Sequence, residues 1–534
     1  MASNGAETTT DVVIVGGGPV GLGLAIDLAA RGVKSQVIER TTEVHRIPKG
    51  QNLTQRTGEH FRAWGITDAV RAASPIPRDF GNAGVVAFGQ LLSAYHYDWF
   101  ARGAVNQFYF AENERLPQYE LERVMRQRAA EIDAITVHYG WAATAVSQDS
   151  SGVRVSIEKT DGSESKVIQG TYAAGCDGAR SFVRDSVGIE QDIDPHDRRM
   201  TLLVFKSREL HELLERYPGK SIFNTLNPEL EGYWQFLGRV DLEGTWFYHA
   251  PVPSETTVDN FDFEAYLHDA IGAEFAIEFD YIGFWDLRIS VAKTYRSGHV
   301  FIAGDAAHSH PPYGGYGVNN GFEDVRNLSW KLAGALAGWG GEGLLESYSL
   351  ERQPVFMSTS QDFIGRMIRD DRAFGEQFSP EKDKAAFEAA WAERAAGGNA
   401  DVTQYLPHYE GSPIVWGEAG AVSGAVGRHM YAARAGHHLA PQELASGNDM
   451  YDSLGSGYAL LSFGGEAKVE QAFAEAARHM KVPFTIVSDS SESARESYGA
   501  PFILVRPDGF VAWAGEQAGP GEGQILARAI GADA

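Results

Sequence analysis

Residues Asp11–Gly23 read DVVIVGGGPVGLG, an apolar run followed by Gly16, Gly18 and Gly21 in the spacing G-x-G-x-x-G. The run Val12–Val15 predicts a buried strand, and the glycines let the backbone approach a pyrophosphate. A helix opening near Pro19, with Val20 in its first turn, aims free N-terminal amides at that anion. Glu39 closes a second apolar run, Gln36–Ile38, eighteen residues after Gly21. An acid at that distance accepts the ribose hydroxyls of a dinucleotide. Asp11 to Arg40 therefore reads as the βαβ start of a Rossmann-like unit.

Far downstream, Gly304–Asp305–Ala306–Ala307–His308 follows the apolar run Val300–Ala303. An aspartate ending a late strand before a glycine-rich helix start suits the ribityl and isoalloxazine end of FAD. Gly314, Gly315 and Gly317 let the chain pass under the isoalloxazine. The helix that follows, with Val318 and Asn319 in its first turn, points free amides at the flavin N1–C2 carbonyl. Its dipole stabilises the negative charge of reduced flavin.

With these pieces in order, the chain resembles the single-component FAD-dependent aromatic hydroxylases (class A flavoprotein monooxygenases), in the phenol-hydroxylase-like branch that carries a C-terminal thioredoxin-like domain. The resemblance covers nearly the whole chain. It rests on Gly16–Gly21 with Glu39–Arg40, on Gln118 in LPQYELERVM, and on Cys176–Asp177–Gly178–Ala179–Arg180–Ser181. GDAAHSHPP (Gly304–Pro312) and GGYGVNNGFEDVRNLSWKLA (Gly314–Ala333) complete it. The chain departs from the family pattern at Tyr316, where a glutamine or similar residue is common, and at Asn320.

The resemblance implies hydroxylation of a phenol or hydroxylated heteroaromatic ring through a flavin C4a-hydroperoxide, using O2 and NADPH or NADH. It implies that Gln118 reaches the ribityl or phosphate region and that Asp177 lies beside FAD. It also places Arg180 and Arg184 near the nicotinamide phosphates, and Pro312 close to the reacting carbon. Two readings of Arg40 stand side by side, one flanking the adenine and one as a solvated surface arginine. Two other functions stay open. One is a Baeyer–Villiger or epoxidising monooxygenase of a polyketide-type substrate, and the other a flavin-binding protein without oxygenase activity.

His45, Arg46, Lys49 and Gln51 cluster after the second strand. Some relatives place a base at the position matching Gln51, but a neutral amide cannot deprotonate a phenol. Lys49, His45, His249 and His310 are left as catalytic candidates. Gln51, Tyr233, Trp285 and Pro312 are the candidate substrate contacts, and no metal site is expected.

At 534 residues the chain exceeds one core. The expected fold is α/β, with a Rossmann-like FAD-binding domain in two parts, 1–199 and 293–398. An aromatic-rich mixed-sheet substrate domain, 200–292, is interleaved, and 399–534 forms a thioredoxin-like domain. The formal charge of −25, from 46 basic and 71 acidic residues, repels nucleic acid and anionic membrane. The single cysteine, Cys176, excludes an intrachain disulfide and fits a cytoplasmic location. With no cysteine in 399–534, that domain is expected to serve packing and homo-oligomeric assembly, not thiol chemistry.

Overall fold

A computed structural model describes residues 7–80, 83–516 and 521–532, apart from the side chains of 195–197. Strand Glu7–Val15 pairs in parallel with Ser35–Glu39 on one side and Ser165–Gly175 on the other. Ile135–Tyr139 and Val300–Ile302 extend this parallel sheet outward. Val12, Val13 and Ile14 are fully buried, as a central parallel strand covered on both faces requires. The antiparallel hairpin Trp141–Asp149 and Gly152–Lys159 does not stand apart from this sheet. Strand Ser165–Gly175 pairs with Gly152–Lys159 over its first half and with Glu7–Val15 over most of its length. The aspartate-glycine turn that follows is thereby held beside the first glycine turn.

A second, eight-stranded sheet holds Gln191–Lys206, Thr245–Val252 and Glu278–Ala292 as neighbours. It begins at Gln191, earlier than the residue 200 expected. It also recruits Gly84–Phe88 and His96–Trp99 as far-edge strands. Strand Gly84–Phe88 joins the sheet through Ile222–Leu226, far along the chain, a pairing that leaves no local pattern, and, among the described residues, His96–Trp99 is attached only through Gly84–Phe88. Strand His308–Ser309 joins the opposite edge, so the GDAAH turn bridges the two sheets. Helices Arg366–Gln377 and Lys384–Ala396 cap the far side, with Phe374, Phe387 and Trp391 packed around Phe88.

The C-terminal sheet runs in the order Phe484–Asp489, Tyr458–Phe463, Phe502–Val505, Val511–Gly515. The first pair is parallel and the rest antiparallel, with helices Ala467–His479 and Glu522–Ala529 packed on it. This is the thioredoxin-like arrangement, with helix Glu492–Tyr498 added to the expected elements. Its core is not its own. Trp330 and Leu344, from the long helices Gly317–Leu336 and Glu342–Ser358, sit in one apolar cluster with Tyr458, Phe473 and Leu504. Among the described residues, no helix is long and apolar enough to cross a membrane.

Candidate functional site

Two helix N-termini open onto one cleft. Helix Pro19–Ala29 starts after Gly18, which is extended and offers no side-chain cap, so the first-turn amides stay open. Helix Gly317–Leu336 likewise starts without a side-chain cap. Gly18, Pro19 and Val20 from the first, with Gly315, Gly317 and Val318 from the second, line one cavity of about 600 Å³. A groove of about 390 Å³ continues from it past Gly16, Glu39, Arg40 and Asp177, sharing Gly18, Lys49 and Gln118.

The glycines are dictated by close approach. A Cβ on Gly16, whose φ is +105°, would lie 2.2 Å from the Cys176 carbonyl oxygen. A Cβ on Gly21 would lie 1.9 Å from the Gly16 carbonyl oxygen, so Gly21 serves helix-to-strand packing and does not line the cleft. A Cβ on Gly18 or on Gly317 would meet nothing within 4 Å. Open space thus remains at both helix starts, and the cradle fits a dinucleotide whose pyrophosphate lies on one N-terminus and whose ring lies on the other.

Glu39 is already engaged. Its Oε2 accepts from the Gly17 amide at 2.7 Å, and its Oε1 accepts from the Thr41 amide and hydroxyl at 2.8 and 2.7 Å. A carboxylate offers about four acceptor positions, so these three donors leave about one open for a ligand hydroxyl. Glu39→Ala should weaken FAD affinity by about tenfold or more, since charge-assisted bonds contribute about 1.5 to 3 kcal/mol each. Flavin fluorescence titration measures it, and unchanged affinity would remove Glu39 from the ribose.

Asp177 is spent on its own turn, accepting from Ser181 Oγ at 2.5 Å and the Val183 amide at 3.1 Å. It shapes the groove wall. Gln118 lines both parts of the cleft, and its Oε1 accepts from the Gly50 amide at 3.4 Å. Asp305 is open to the cavity, where burial by the surrounding protein raises its carboxyl pKa and His308 and Lys49 oppose that shift. Asn319 does not face the cleft with its side chain. Its Oδ1 accepts from the Thr54 amide and Thr57 hydroxyl, and its Nδ2 donates to the Asn52 and Gly315 carbonyls. Asn319 therefore ties the helix start to the Asn52–Thr57 segment.

The substrate end is aromatic. Phe236, Phe247 and Trp285 from the second sheet line the cavity, with the His249 ring edge-on to Trp285 at 5.0 Å. Gln51 and Pro312 line it too. Tyr233 does not: it is 5% exposed and packs in a core cluster with Phe88 and Trp99. The histidine candidates divide. His45 lines the nucleotide groove and is absent from the aromatic cavity wall, while His249 and His310 line the aromatic cavity. Burial pushes His249 down to about 3 and His310 down to about 4, so both are neutral at pH 7. Lys49 stands where the two parts of the cleft meet.

Tyr316 neither narrows the cavity nor faces solvent. It is fully buried, stacks on Tyr405 at 4.0 Å and donates its hydroxyl to the Asp401 carbonyl at 2.6 Å. The Asn320 Nδ2 donates to the Tyr316 carbonyl, and its Oδ1 accepts from Arg352. The two departures from the family pattern thus act as anchors behind the glycine turn.

Sequence reasoning passed over two residues that hold the site in shape, Asp324 and Arg102. Asp324, fully buried, accepts from His308 at 2.7 Å, the Gly304 amide at 2.9 Å and Arg352 at 2.7 Å. Its burial raises the carboxyl pKa, but His308 and Arg352 outweigh that and keep it below the usual range. Arg102 donates to the Gly314 carbonyl at 2.8 Å and covers the Phe100 ring. The available signal for Asp324 was its place in the acidic pair Glu323–Asp324 on helix Gly317–Leu336. Away from the cleft, His408, Glu410 and His437 gather their ligand atoms within 4.8 Å. Arg434 donates to His437 Nδ1, so Nε2 donates to Glu410, and the His408 ring stacks on His437.

Cys176 lines the cleft, yet burial pushes its thiol pKa well up, with Asp177 and Asp324 adding to the shift. Cys176→Ser should keep FAD content and turnover at wild-type levels. Normal flavin with lost turnover would give the thiol a chemical role.

Residues 9–362 match the family model described as FAD binding domain, and residues 432–532 match aromatic-ring hydroxylase, C-terminal. A rifampicin monooxygenase of Streptomyces venezuelae is 28% identical over 95% of this chain and 96% of its own. A 4-methyl-5-nitrocatechol 5-monooxygenase of a Burkholderia species is 28% identical over 94% of this chain and 93% of its own. The solved structure of the rebeccamycin biosynthetic enzyme RebC with reduced flavin superposes with a TM-score of 0.84 at 27% identity, covering 99% of this chain and 100% of that one. The chain belongs to the FAD-binding flavoprotein family in its aromatic-ring hydroxylase branch, and is an FAD-dependent oxidoreductase.

Proposed function

We propose that this enzyme hydroxylates a phenol or hydroxylated heteroaromatic ring, taking electrons from NADPH or NADH and one oxygen atom from O2. FAD, when bound, supplies the acceptance of hydride and the activation of oxygen. The observation that carries this reading is the wall of Phe236, Phe247 and Trp285 opposite the glycine turn Gly315–Val318, within one cavity. Flat apolar walls bind a flat ring, and the open helix start holds negative charge at the cofactor end.

The chain's own residues then do three things. The two helix N-termini hold an anionic cofactor, with Glu39 on its ribose side. The aromatic wall orders the substrate ring and excludes water from the reaction. Gln51 and His249 offer neutral hydrogen-bonding groups to the ring's oxygen substituent. The relatives' names, covering nitrocatechol and rifampicin, favour a hydroxylated aromatic over an unsubstituted one.

A panel of phenols and pyridinols, screened for accelerated NADPH or NADH loss, tests the reading. The expected result is a several-fold stimulation by at least one of them, with a product heavier by one oxygen. Nicotinamide oxidation that no ring stimulates, with no oxygenated product, would leave a flavin reductase.

A further inference from the structure

One face of the second sheet forms a wall of the aromatic cavity, and the strand pairing sets its rows. Tyr281 pairs with Val204, Val204 with Phe247, and Phe247 with Gly238. In the next row Gly283 pairs with Leu202, Leu202 with His249, and His249 with Phe236. Directly opposed residues share a face, and so do alternate residues of one strand. Tyr281, Gly283 and Trp285 therefore point the same way. All of these residues except Val204 and Gly238 line the cavity.

Each row holds one glycine, and an aromatic ring covers each. A Cβ on Gly238 would collide with the Phe247 ring, and one on Gly283 would stand 2.6 Å from Tyr281 Cε1. Phe247 thus leans across to the neighbouring strand, while Tyr281 lies back along its own. Exposure falls along the first row from 39% at Tyr281 to 6% at Val204 and 3% at Phe247, so Tyr281 stands at the open end. Its strand is a sheet edge there. Among the described residues, Glu278–Ala292 meets His308–Ser309 at Ser290 and Val291 alone, the junction that leads on to Pro312 and the glycine turn. Tyr281 lies four residues beyond Trp285 on the side away from that junction, roughly 13 Å further out at the rise of a strand. Phe236, Phe247, His249 and Trp285 each contact another ring, whereas Tyr281, among the described residues, contacts none.

Resting on the reading above that this cavity takes an aromatic ring, we propose that Tyr281 is the specificity-determining residue of its outer end. The free face of Tyr281 stacks on the outermost ring of a ligand that reaches from the glycine turn to the sheet edge. Length is thereby selected: an extended ring system gains this contact and a single ring at the inner end does not. Gly283 is the positioning residue. With no side chain at 283 the Tyr281 ring lies down along the cavity wall, and with one it has to stand away from it. An edge glycine also needs cover for the sake of the sheet, and an aromatic ring supplies it. Cover alone changes stability and does not sort ligands by length.

The test measures binding to the FAD-loaded protein by calorimetry, without nicotinamide, for two probes: phenol, with one ring, and 2-hydroxyanthraquinone, with three. Tyr281→Ala should weaken the three-ring probe about fivefold, the worth of one stacked ring, and leave phenol within about twofold. Tyr281→Phe should bind both as wild type does. Gly283→Ala should reproduce the loss for the three-ring probe, because its methyl group displaces the Tyr281 ring. Added to Tyr281→Ala, the same methyl group should change nothing further. If Gly283→Ala fails to fold, the Ala and Phe variants of Tyr281 still decide. The proposal falls if Tyr281→Ala weakens both probes alike or neither, or if the three-ring probe does not bind. It also falls if Gly283→Ala still acts in the Tyr281→Ala background, because the methyl group and not the ring then blocks the ligand. Ring oxygenation with no dependence on Tyr281 for either probe would overturn this inference and leave the hydroxylase reading standing. Selection by length without any oxygenated product would do the reverse.

Discussion

Arg506→Ala should lower stability by about 3 to 5 kcal/mol, the cost of leaving a buried charge without its partner. Arg506 lies on the turn of the C-terminal hairpin and is fully buried. It donates to both Glu351 oxygens at 2.6 and 2.9 Å and to Asp508. Glu351, on helix Glu342–Ser358, also accepts from Lys331 at 2.7 Å, Asn327 at 2.6 Å and Ser412 at 2.5 Å. Burial raises the carboxyl pKa, but Arg506 and Lys331 outweigh it and hold Glu351 far below the usual range. Removing Arg506 leaves Glu351 and Asp508 underneath a packed interface with one lysine between them. If the chain unfolds as one unit, the thermal midpoint should fall by about 4 °C, and if the C-terminal unit melts first, by more than 10 °C. A midpoint within one degree of wild type would contradict this account of the interface.

Gly16→Ala should abolish FAD retention on purification, an effect of at least about 100-fold, or roughly 2.7 kcal/mol. The new Cβ would collide with the Cys176 backbone, at a φ that side chains rarely adopt. Strand end and aspartate-glycine turn must separate, and both border the nucleotide groove. Gly18→Ala provides the contrast, because its Cβ meets no protein atom. That variant should fold with wild-type stability in the absence of flavin yet bind FAD about tenfold or more weakly, since the methyl group occupies the space over the helix start. Equal flavin binding by Gly18→Ala and wild type would move the pyrophosphate elsewhere.

The cofactor half of the site was legible because its demands are local. Gly16, Gly18 and Glu39 act within one βαβ unit. The substrate half was less so. Tyr233 looks the same in sequence as Trp285, yet Tyr233 lies just before strand Gln235–Arg239 and packs in a core, while Trp285, on strand Glu278–Ala292, lines the cavity; which aromatics reach a cavity is a tertiary property. Asp324, Arg102 and Arg115 act on backbone turns or on Gln51 across long sequence separations, and such contacts leave no local spacing to read. Tyr316 was visible as a departure, but its partners Tyr405 and Asp401 lie some 85 to 90 residues later.

The central claim is that one atom of O2 reaches an aromatic ring bound in this cavity. Turnover of FAD-loaded protein under isotopically heavy O2, with the most stimulating hydroxyarene and NADPH or NADH, tests it most directly. The account predicts a product with one heavy oxygen atom per molecule, and a light product when the label is carried by water instead. Label arriving from water, or nicotinamide consumed with peroxide as the sole oxygen product across the whole panel, would contradict it.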